Sequence, residues 1–380
     1  MRVTYKYRLY PTAAQAAGLT DQLRAACALY NAALEERRGA WKVSRTSLNY
    51  YAQANQLKAM RAEGLIAVAN FTCCQEILRR VDRTFAAFFA RVKRGGAAGY
   101  PRFRSARRYD SLTFPTHGNG CALTGNRLRV QGVGVIKVKL HRPVEGAIKT
   151  VSIVRDVTRW YVCASVERDA QPLPATDREV GIDVGLTPFA TLSTGEVIAN
   201  PRPQAQAQAR LRRAQRRLAR RTRGSHRRHK ARAQLAHAQR AVRNQRANFH
   251  HQVSRRLVNQ FGRIAVERLN VKGLSAGRLA RSVKDAGWAA FFATLSYKAA
   301  SAGRVLVEVD ARGTSQTCVC GAPARKTLSD RWHACGACGL SEDRDLVSAQ
   351  VILQRARIEP SWRNVEDRAS CVPREAVCFS

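Results

Sequence analysis

The stretch Glu179-Val-Gly-Ile-Asp-Val-Gly-Leu186 decides the fold of the second half of this chain. Its alternating apolar residues predict a short buried strand that delivers Asp183 to its end. The run Arg263-Ile-Ala-Val-Glu267 follows the same logic, so a second strand is predicted to end in Glu267. Two strand ends can therefore bring two carboxylates to one point.

A third acid comes from a predicted helix near the end of the chain. In Glu342-Asp-Arg-Asp-Leu-Val-Ser-Ala-Gln-Val-Ile-Leu353 the apolar residues suit a helix better than a strand, and Asp345 lies near its start. Asp343 is the second choice for this third acid, because its spacing from the apolar face of the predicted helix fits less well than that of Asp345. Buried without a lysine or arginine partner, Asp183, Glu267 and Asp345 would repel one another unless divalent cations shared the site, as two metals about 4 Å apart do in phosphoryl-transfer nucleases. The alternative is that each acid singly caps a loop, and the ordered trio favours the metal site.

The composition indicates a polyanionic partner. The 380 residues include 66 Lys and Arg against 27 Asp and Glu, which gives a formal net charge of +39 and a sequence pI near 11.1. Such an excess would repel itself in an isolated fold, and no long apolar span or amphipathic anchor suggests a membrane partner. The length allows two or three cores on a prior of about 150 residues per domain, enough for a nuclease core and a recognition module.

The N-terminus and the cysteines predict a cytoplasmic protein. The segment Met1-Arg-Val-Thr-Tyr-Lys-Tyr-Arg-Leu-Tyr-Pro11 alternates like a strand and lacks the apolar core of a signal peptide. The 11 cysteines are then expected to be thiols or metal ligands, because disulfides are rare in that compartment.

The first half of the chain is predicted to be one module of strands that flank a helical insertion. Residues 2–9 alternate like a strand, and apolar residues at helical spacing predict a helix over 70–92. After Gly95-Gly-Ala-Ala-Gly99 the helical pattern ends. Antiparallel strands are predicted over 127–132, 134–140 and 150–166. The segment Ala170-Gln-Pro-Leu-Pro-Ala-Thr176 has the composition of a linker, so we place a boundary near residue 170.

The second half alternates strands and helices like an α/β core. Its predicted strands are 178–184, 187–193, 196–199, 262–267 and 304–309. A helical hairpin is predicted over 202–261 and a helix over 285–301, with a cysteine-bearing insertion before the final helix. Residues 358–380 lack periodicity and are expected to form a disordered tail in which Cys371 and Cys378 are free thiols.

The segment 202–261, here called the basic hairpin, has a one-sided charge pattern. From Val197 to Val266 there is no Asp or Glu. An apolar stripe would consist of Leu211, Ala214 and Leu218. The surrounding cations are Arg210, Arg212, Arg213, Arg216, Arg217, Arg220, Arg221, Arg223, Arg227, Arg228, Lys230 and Arg232. Solvated helices usually mix charges to gain i,i+4 pairs, so this pattern favours phosphate contacts with steep salt dependence over a merely solvated face.

Four cysteines form two knuckles. Cys318-Val-Cys320-Gly and Cys335-Gly-Ala-Cys338-Gly are separated by a hairpin-sized loop, which favours a closed, structural zinc ribbon. The first knuckle is one residue tighter than the usual C-x-x-C, and His333 is a further candidate ligand. Free cytosolic thiols are the alternative, which the paired register makes the weaker interpretation.

The irregular segment Gly99-Tyr-Pro-Arg-Phe-Arg104 joins aromatic and guanidinium groups. This composition is suited to base stacking and phosphate binding. The alternative is that the side chain of Phe103 packs inside the hydrophobic core, as a core plug.

With the three acids and the cysteine pairs in this order, the chain resembles the TnpB family, the OrfB-type proteins of bacterial insertion sequences and relatives of type V CRISPR effectors. The resemblance runs over nearly the whole length. Its further segments are Tyr7-Arg-Leu-Tyr-Pro-Thr12, Leu29-Tyr-Asn-Ala-Ala-Leu34, Gly99-Tyr-Pro-Arg-Phe-Arg104, Asn248-Phe-His-His-Gln-Val-Ser254 and Thr314-Ser-Gln-Thr-Cys318.

The resemblance implies an α/β fold combined with a β-barrel that has a helical insertion. Residues 1–170 would form a wedge barrel of the oligonucleotide-binding type, with a helical recognition domain inserted over about 12–110. Residues 171–312, which include the basic hairpin, would be the first part of a RuvC-like nuclease with an RNase H fold. Residues 313–340 would be an inserted zinc ribbon, and 341–357 the last RuvC-like helix.

The resemblance also implies an RNA-guided DNA endonuclease of a bacterial transposon, present in the cytoplasm and associated with the nucleoid. A guide RNA from the transposon end would pair with double-stranded target DNA beside a transposon-associated motif. One active site would cut both strands by two-metal-ion hydrolysis with Mg²⁺ or Mn²⁺. No membrane partner is expected, and the chain would be a monomer or weak dimer.

Three kinds of site residue follow from the resemblance and the motifs. The catalytic, magnesium-binding acids are Asp183, Glu267 and Asp345. The Zn²⁺ ligands are Cys318, Cys320, Cys335 and Cys338. The candidate nucleic-acid contacts are Arg210, Arg212, Arg213, Arg216, Arg217, Arg220, Arg221, Tyr51, Gln75, Arg79, Arg102 and Arg104. Val347 departs from the family, which usually has Asn two residues after the last catalytic Asp, but the departure removes no metal-binding carboxylate.

Three other functions are weighed against guided cleavage. The first is a nuclease-inactive or weakly active RNA-guided DNA-binding regulator, whose usual mark, a lost carboxylate, is absent. The second is an RNA-binding structural protein, for which three convergent acids would be superfluous. The third is a DNA-strand transposase on the same RNase H-type core, but the resemblance favours cutting at guided sites over end joining.

Overall fold

The computed structural model describes residues 1–327 and 330–358. The tail predicted over 358–380, with Cys371 and Cys378, lies outside the described residues from residue 359 onward. The chain divides between Asp169 and Ala170 into two compact units. Each unit has its own hydrophobic core.

The first unit is built on one antiparallel sheet of seven strands. The strands are β1 (Arg2–Tyr10), β2 (Ser111–Phe114), β3 (Cys121–Thr124), β4 (Arg127–Val130), β5 (Gly134–Lys139), β6 (Ala147–Asp156) and β7 (Arg159–Glu167). Their order is β2-β6-β7-β1-β5-β4-β3, which fits a nearly closed barrel. In β1 the side chains of Tyr5, Tyr7 and Leu9 are buried in alternation with more exposed neighbours, as the period of two requires.

Three helices are inserted between β1 and β2: α1 (Ala13–Ser44), α2 (Tyr50–Ala62) and α3 (Phe71–Lys93). The first begins at residue 13 because Thr12 and Gln15 form a reciprocal capping box. Asn49 and Asn70 cap the other two helices through their side-chain oxygens. The helix predicted over 70–92 is thus confirmed, shifted by one residue.

The second unit is built on a mixed sheet of five strands. They are β8 (Glu179–Val184), β9 (Pro188–Leu192), β10 (Val197–Ala199), β11 (Arg263–Arg268) and β12 (Val305–Asp310), and all five predicted strands are present. Their order is β10-β9-β8-β11-β12. The first three are joined antiparallel, whereas β8, β11 and β12 run parallel.

Seven α-helices, one turn of 3-10 helix (Thr314–Gln316) and a small hairpin complete the described part of this unit. The helices are α4 (Pro203–Gln206), α5 (Gln208–Ala219), α6 (His226–Gln260), α7 (Val271–Leu274), α8 (Ala280–Ala286), α9 (Trp288–Ser301) and α10 (Arg344–Ile358). The hairpin pairs β13 (Trp332–Ala334) with β14 (Ser341–Asp343). Within residues 1–327 and 330–358, none of the helices combines the length and apolarity that crossing a membrane requires.

Two predicted helix boundaries are wrong. The helix predicted over 285–301 is interrupted at Gly287, whose φ of 68° belongs to the left-handed region and ends α8 before α9 begins. The final helix predicted over 341–357 begins at Arg344, because residues 341–343 pair with β13 as a strand. Hydrogen bonding to a partner strand outweighs helical periodicity in this short segment.

The two faces of the five-stranded sheet carry different side chains. One face packs against α6 and α9 through a core that includes Val180, Ile182, Ile264, Val266 and Leu306. The opposite face packs against α10 through Ala265, Val309, Ile352 and Ala356. Since successive residues of a strand point to opposite faces, Gly181 and Asp183 lie on the α10 side.

Gly181 lets α10 approach the centre of the sheet. A Cβ atom built on Gly181 would lie 2.0 Å from the carbonyl oxygen of Ala349 and 2.8 Å from the backbone nitrogen of Leu353. Both contacts are backbone atoms, which cannot rotate away as a flexible side chain can. Glycine at this position is therefore required by the packing distance.

We predict that Gly181→Ala lowers the thermal stability of the second unit. The methyl group forces α10 away from β8, at a cost of about 1–3 kcal/mol or more for overpacking. This corresponds to about 2–4 °C in Tm per kcal/mol for a unit of this size. Differential scanning calorimetry measures it, with Gly277→Ala as the matched control, because a Cβ there meets its nearest neighbour only at 4.0 Å. Equal melting of the two variants would contradict the packing argument.

Candidate active site and metal centre

Asp183 and Glu267 lie on neighbouring strands at equivalent positions. In the parallel pairing of β8 with β11, Ile182 is opposite Val266, so the acids follow one residue later on each strand. Ile182 and Val266 belong to the core on the α6 side, which places both acids on the α10 side. Adjacent strands are about 4.8 Å apart, so the two carboxylates are neighbours.

Helix α10 brings Asp345 to the same place because it runs antiparallel to β8. Near the beginning of the strand, Glu179 accepts a hydrogen bond of 2.6 Å from Arg357 Nε, while Gly181 contacts Ala349. Ala349 and Leu353 precede Arg357 along the helix, so α10 runs toward its N-terminus as β8 runs toward Asp183. The first turn of α10, which contains Asp345, therefore lies on the Asp183 side, and the charge of Asp345 acts on Asp183.

The electrostatics of Asp183 agree with this geometry. Burial raises the pKa of Asp183 well above its ordinary value, and the negative charges of Glu267 and Asp345 raise it further. The positive charge of Arg344 acts in the opposite direction. Perturbed pKa values are enriched at functional sites, and carboxylate oxygens are ligands that divalent cations accept.

Glu267 is held by a residue that the sequence did not indicate as part of the site. The hydroxyl of buried Thr314 donates a hydrogen bond to Glu267 Oε1. Burial raises the pKa of Glu267, whereas this hydrogen bond and the charge of Arg355 oppose the rise. The sequence feature that could have indicated Thr314 is its place in Thr314-Ser-Gln-Thr-Cys318, directly before the first cysteine knuckle.

Asp345 and Asp343 have different roles in the structure. Asp343 Oδ1 accepts hydrogen bonds from the backbone nitrogens of Asp345 and Leu346, at 2.8 and 3.2 Å, and so caps α10. The carboxylate of Asp345 contacts Arg344 Nη2 at 3.2 Å and Arg331 Nη1 at 3.8 Å. The premise of an acid cluster without an arginine partner is therefore wrong for Asp345.

The four cysteines bring their sulfur atoms close enough together to bind one metal ion. Their Sγ atoms all lie within 4.8 Å of one another, with 3.6 Å between Cys318 and Cys338 and 3.7 Å between Cys320 and Cys335. Zinc–sulfur bonds of about 2.3 Å produce tetrahedral edges of about 3.8 Å, so the spacing fits zinc. The backbone N–H groups of Cys338 and Ala337 lower the pKa of Cys335 to about 6, whereas burial raises the pKa of Cys318 to about 12.

His333 lies beside this cysteine cluster and not within it. Its side chain is fully buried, and Nδ1 contacts the Nζ atom of Lys326. Among the described residues, the side chains already placed closely enough to hold a metal are the four cysteines, whereas the three acids are not arranged as a closed set of ligands. The tight first knuckle thus needs no histidine to complete the set.

The basic hairpin exposes the arginines that the sequence singled out. Exposed on α5 and in the turn after it are Arg210, Arg212, Arg213, Arg216, Arg217, Arg220 and Arg221. Helix α5 packs against α6, and its apolar stripe is half-buried, consisting of Leu211, Ala214 and Leu218. Acid-paired arginines lie nearer the base of the hairpin, where Arg246 contacts Asp285 at 3.3 Å and Arg256 contacts Glu196 at 2.7 Å.

Five further candidate contacts lie in the first unit. Tyr51 of α2 is largely exposed, and Gln75 is half-buried one turn before Arg79 on α3. The guanidinium of Arg79 lies 5.0 Å from the ring centre of Tyr50 and contacts Glu76 at 3.8 Å.

The other two lie in the loop after α3. Arg102 is exposed, and Arg104 stacks over Tyr30 at 5.0 Å. Phe103 between them is half exposed, so the interpretation of Phe103 as a core plug is wrong.

Three family models match separate parts of the chain. The OrfB model, described as "Probable transposase", matches residues 161–277. A model described as "Cas12f1-like, TNB domain" matches 288–352, and one described as "Helix-turn-helix domain" matches 1–45. The last range contains β1 and α1, a strand followed by a single long helix.

Relatives match over most of the chain. A protein of Streptomyces pristinaespiralis named "Putative RNA-guided DNA endonuclease" is 34% identical over 359 residues, 92% of this chain and 88% of that protein. "Putative RNA-guided DNA endonuclease InsQ" of Escherichia coli K12 is 26% identical over 73% of each chain. Among solved structures, a chain of the Cas12f1-sgRNA-target DNA complex aligns with 93% of this chain and with 99% of its own length. The sequence identity is 15% and the TM-score 0.35.

The identity and the coverage of the Streptomyces relative are sufficient to assign a family, and the OrfB model agrees. The order of acids and cysteine knuckles along the chain is consistent with both. The chain belongs to the TnpB family, the OrfB-type proteins of insertion sequences.

Proposed function

We propose that the chain is an RNA-guided endonuclease of a bacterial transposon that cuts double-stranded DNA beside a transposon-associated motif. The observation that carries the proposal is the convergence of Asp183, Glu267 and Asp345 on the α10 face of the sheet. A repelling acid cluster in a chain with a net charge of +39 suits metal-dependent chemistry on a polyanion. The names of the two relatives point to the same activity.

The strand order supports a RuvC-like RNase H fold for the second unit. Three antiparallel strands are followed by two that are parallel to β8, and the acids lie on β8, β11 and the first turn of α10. We propose the domain division predicted from the sequence, with a wedge barrel and its recognition helices over 1–170. The nuclease then occupies 171–312 and 341–357, with the zinc ribbon over 313–340.

Each residue of the site has a separable task in this mechanism. When bound, two Mg²⁺ or Mn²⁺ ions would supply an activated water and stabilise the leaving 3′ oxygen. Asp183, Glu267 and Asp345 would hold them, and Thr314 fixes the orientation of the Glu267 carboxylate. Asp343 fixes the first turn of α10 and therefore the position of Asp345.

The partners proposed are a guide RNA from the transposon end and the target duplex. Base pairing with the guide would select the sequence, while the arginines of the basic hairpin would bind phosphates without sequence preference. Tyr51, Gln75 and Arg79 are the proposed readers of the flanking motif. The chain would work as a monomer or weak dimer in the bacterial cytoplasm.

A nuclease-inactive, RNA-guided DNA-binding regulator is the second candidate. The observation that favours it is the pairing of Asp345 with Arg344 and Arg331, which could satisfy that carboxylate without a metal. Val347, in the position where the family usually has Asn, is buried two residues later on α10. The two candidates differ in whether bound DNA is cut.

We predict that Asp183→Asn, Glu267→Gln and Asp345→Asn each abolish cleavage and leave guided DNA binding near wild type. The substitutions remove charge needed for metal binding, and fewer acids in a basic protein do not weaken its attraction to phosphate. A plasmid-cleavage assay in magnesium, paired with a gel shift, measures both properties. Cleavage by any of these variants at the wild-type rate would exclude that acid from the site, and a wild-type protein that binds but does not cut would favour the regulator.

Two controls separate ligand from structural roles. Asp343→Asn keeps an oxygen that can cap α10, so it should retain cleavage. In EDTA at neutral pH, Asp183→Asn should melt higher than wild type, because a carboxyl with a raised pKa destabilises the fold when it is charged. A lower Tm for Asp183→Asn would contradict the repulsive cluster.

The quadruple variant Arg212→Gln, Arg213→Gln, Arg216→Gln and Arg217→Gln is predicted to flatten the salt dependence of RNA binding. Each lost phosphate contact reduces the slope of log K against log salt by about 0.7–0.9. Filter binding over a range of salt concentrations measures the slope. Arg256→Gln is the matched control, because Glu196 already neutralises that guanidinium, and its slope should stay at the wild-type value. An unchanged slope in the quadruple variant would mean that the arginines of α5 face solvent and do not contact the RNA phosphates.

The cysteine cluster is predicted to bind one zinc ion per chain. Metal binding should hold the segment that connects Thr314 with β14, so Cys335→Ser is expected to lose the zinc and lower solubility and Tm. Elemental analysis and calorimetry of purified protein provide the measurement. Cys27→Ser, a substitution in the first unit, should keep the metal content at one. Freshly purified, folded wild-type protein with well under one zinc per chain would disprove the assignment.

A further inference from the structure

The end of α3 and the loop after it form an exposed cluster of aromatic rings in the first unit. We call it the aromatic platform, and its members are Phe85, Phe88, Phe89, Tyr100 and Phe103. The ring centre of Phe88 lies 5.1 Å from that of Phe89 and 5.3 Å from that of Tyr100. Phe89 is 59% exposed, Phe103 49% and Tyr100 42%.

The platform is fixed from below and is not a set of loose side chains. Phe85 packs against the core of the first unit, and the guanidinium of Arg37 lies over its ring at 5.3 Å. Arg37 is itself buried and contacts Asp82 at 3.0 Å and Gln53 at 2.8 Å. The outer rings are therefore presented on a rigid base, although their exposure has a hydrophobic cost.

The stretch of chain that carries the platform has only positive charges, and acids from outside it pair with Arg37, Arg38 and Arg83. From Arg83 to Tyr109 there is no Asp or Glu. The basic residues of this stretch are Arg83, Arg91, Lys93, Arg94, Arg102, Arg104, Arg107 and Arg108. From α1, Arg38 adds a guanidinium over the rings of Phe103 and Tyr100, at 5.1 and 5.8 Å, and Glu35 contacts it at 3.7 Å.

We propose that the aromatic platform stacks unpaired bases of the guide RNA, an inference that rests on the proposed function. Aromatic rings with surrounding arginines match single-stranded nucleic acid, whose bases stack while its phosphates bind cations. A protein partner would need acidic groups to match these cations. Under the proposed function the guide RNA is bound before the target DNA, so it fits better as the partner that covers this apolar surface.

Titration of the full-length chain with a short single-stranded RNA that carries 2-aminopurine tests the proposal. Stacking quenches the 2-aminopurine fluorescence, and the titration also yields the affinity. The double variant Phe89→Leu and Phe103→Leu keeps apolar surface and removes the aromatic faces. We expect its affinity to fall about 5-fold or more per lost stacking contact, with the salt slope unchanged. Phe89→Trp with Phe103→Trp should bind at least as tightly as wild type.

The matched control is Phe71→Leu, the same substitution on the same helix. Phe71 is exposed at the first residue of α3, 18 positions before Phe89, and so about 27 Å from it along the axis. Phe71→Leu should leave both the quenching and the affinity at wild-type values. An equal loss in this control would overturn the proposal, since the effect would not be local to the platform.

Other outcomes identify which statement fails. If the leucine pair binds RNA like wild type, the platform does not stack bases, although guided cleavage by the same protein would leave the proposed function intact. If the leucine pair binds guide RNA like wild type but loses affinity for single-stranded DNA of the same sequence, the platform binds DNA and the assignment to guide RNA is wrong. A wild-type chain that binds no RNA would disprove the proposed function itself.

Discussion

The close approach of α10 to β8 is the contact on which the candidate active site depends. Gly181 allows backbone atoms of Ala349 and Leu353 to lie where any side chain would intrude. This distance sets the height of α10 above the sheet, and the antiparallel direction of the helix then places its first turn opposite Asp183. A helix displaced by the width of a methyl group would carry Asp345 away from the other two acids.

Charge is distributed in two opposite ways within the second unit. Around Asp183 the chain concentrates acids until burial and mutual repulsion raise the pKa of that carboxyl. Along the basic hairpin it excludes acids for 70 residues, from Val197 to Val266, and exposes the arginines of α5. Both arrangements are unfavourable in the isolated protein, and divalent cations and phosphates respectively are the partners that would relieve them.

The segment that carries the cysteines also contacts two of the three acids. Thr314, four residues before Cys318, donates its hydroxyl hydrogen bond to Glu267. Arg331 contacts Asp345, and Asp343 of β14 caps the helix on which Asp345 lies. The cysteine segment therefore constrains the orientation of Glu267 and the start of α10, so a metal bound by the cysteines would influence the candidate active site.

The sequence by itself determined most of the strands and helices and the positions of the candidate site residues along them. Period-two alternation indicated β8 and β11 with their terminal acids, helical spacing indicated α3 and α10, and the knuckle spacing indicated the cysteine cluster. These patterns are local, because they reflect which residues of one element face a core. The tertiary structure decided what depends on atoms distant in sequence: that Asp343 caps α10, that the charge of Asp345 acts on Asp183, that Thr314 holds Glu267, and that Phe103 is exposed. Such pairings arise from the height and direction of one element above another, which no local period of the sequence encodes.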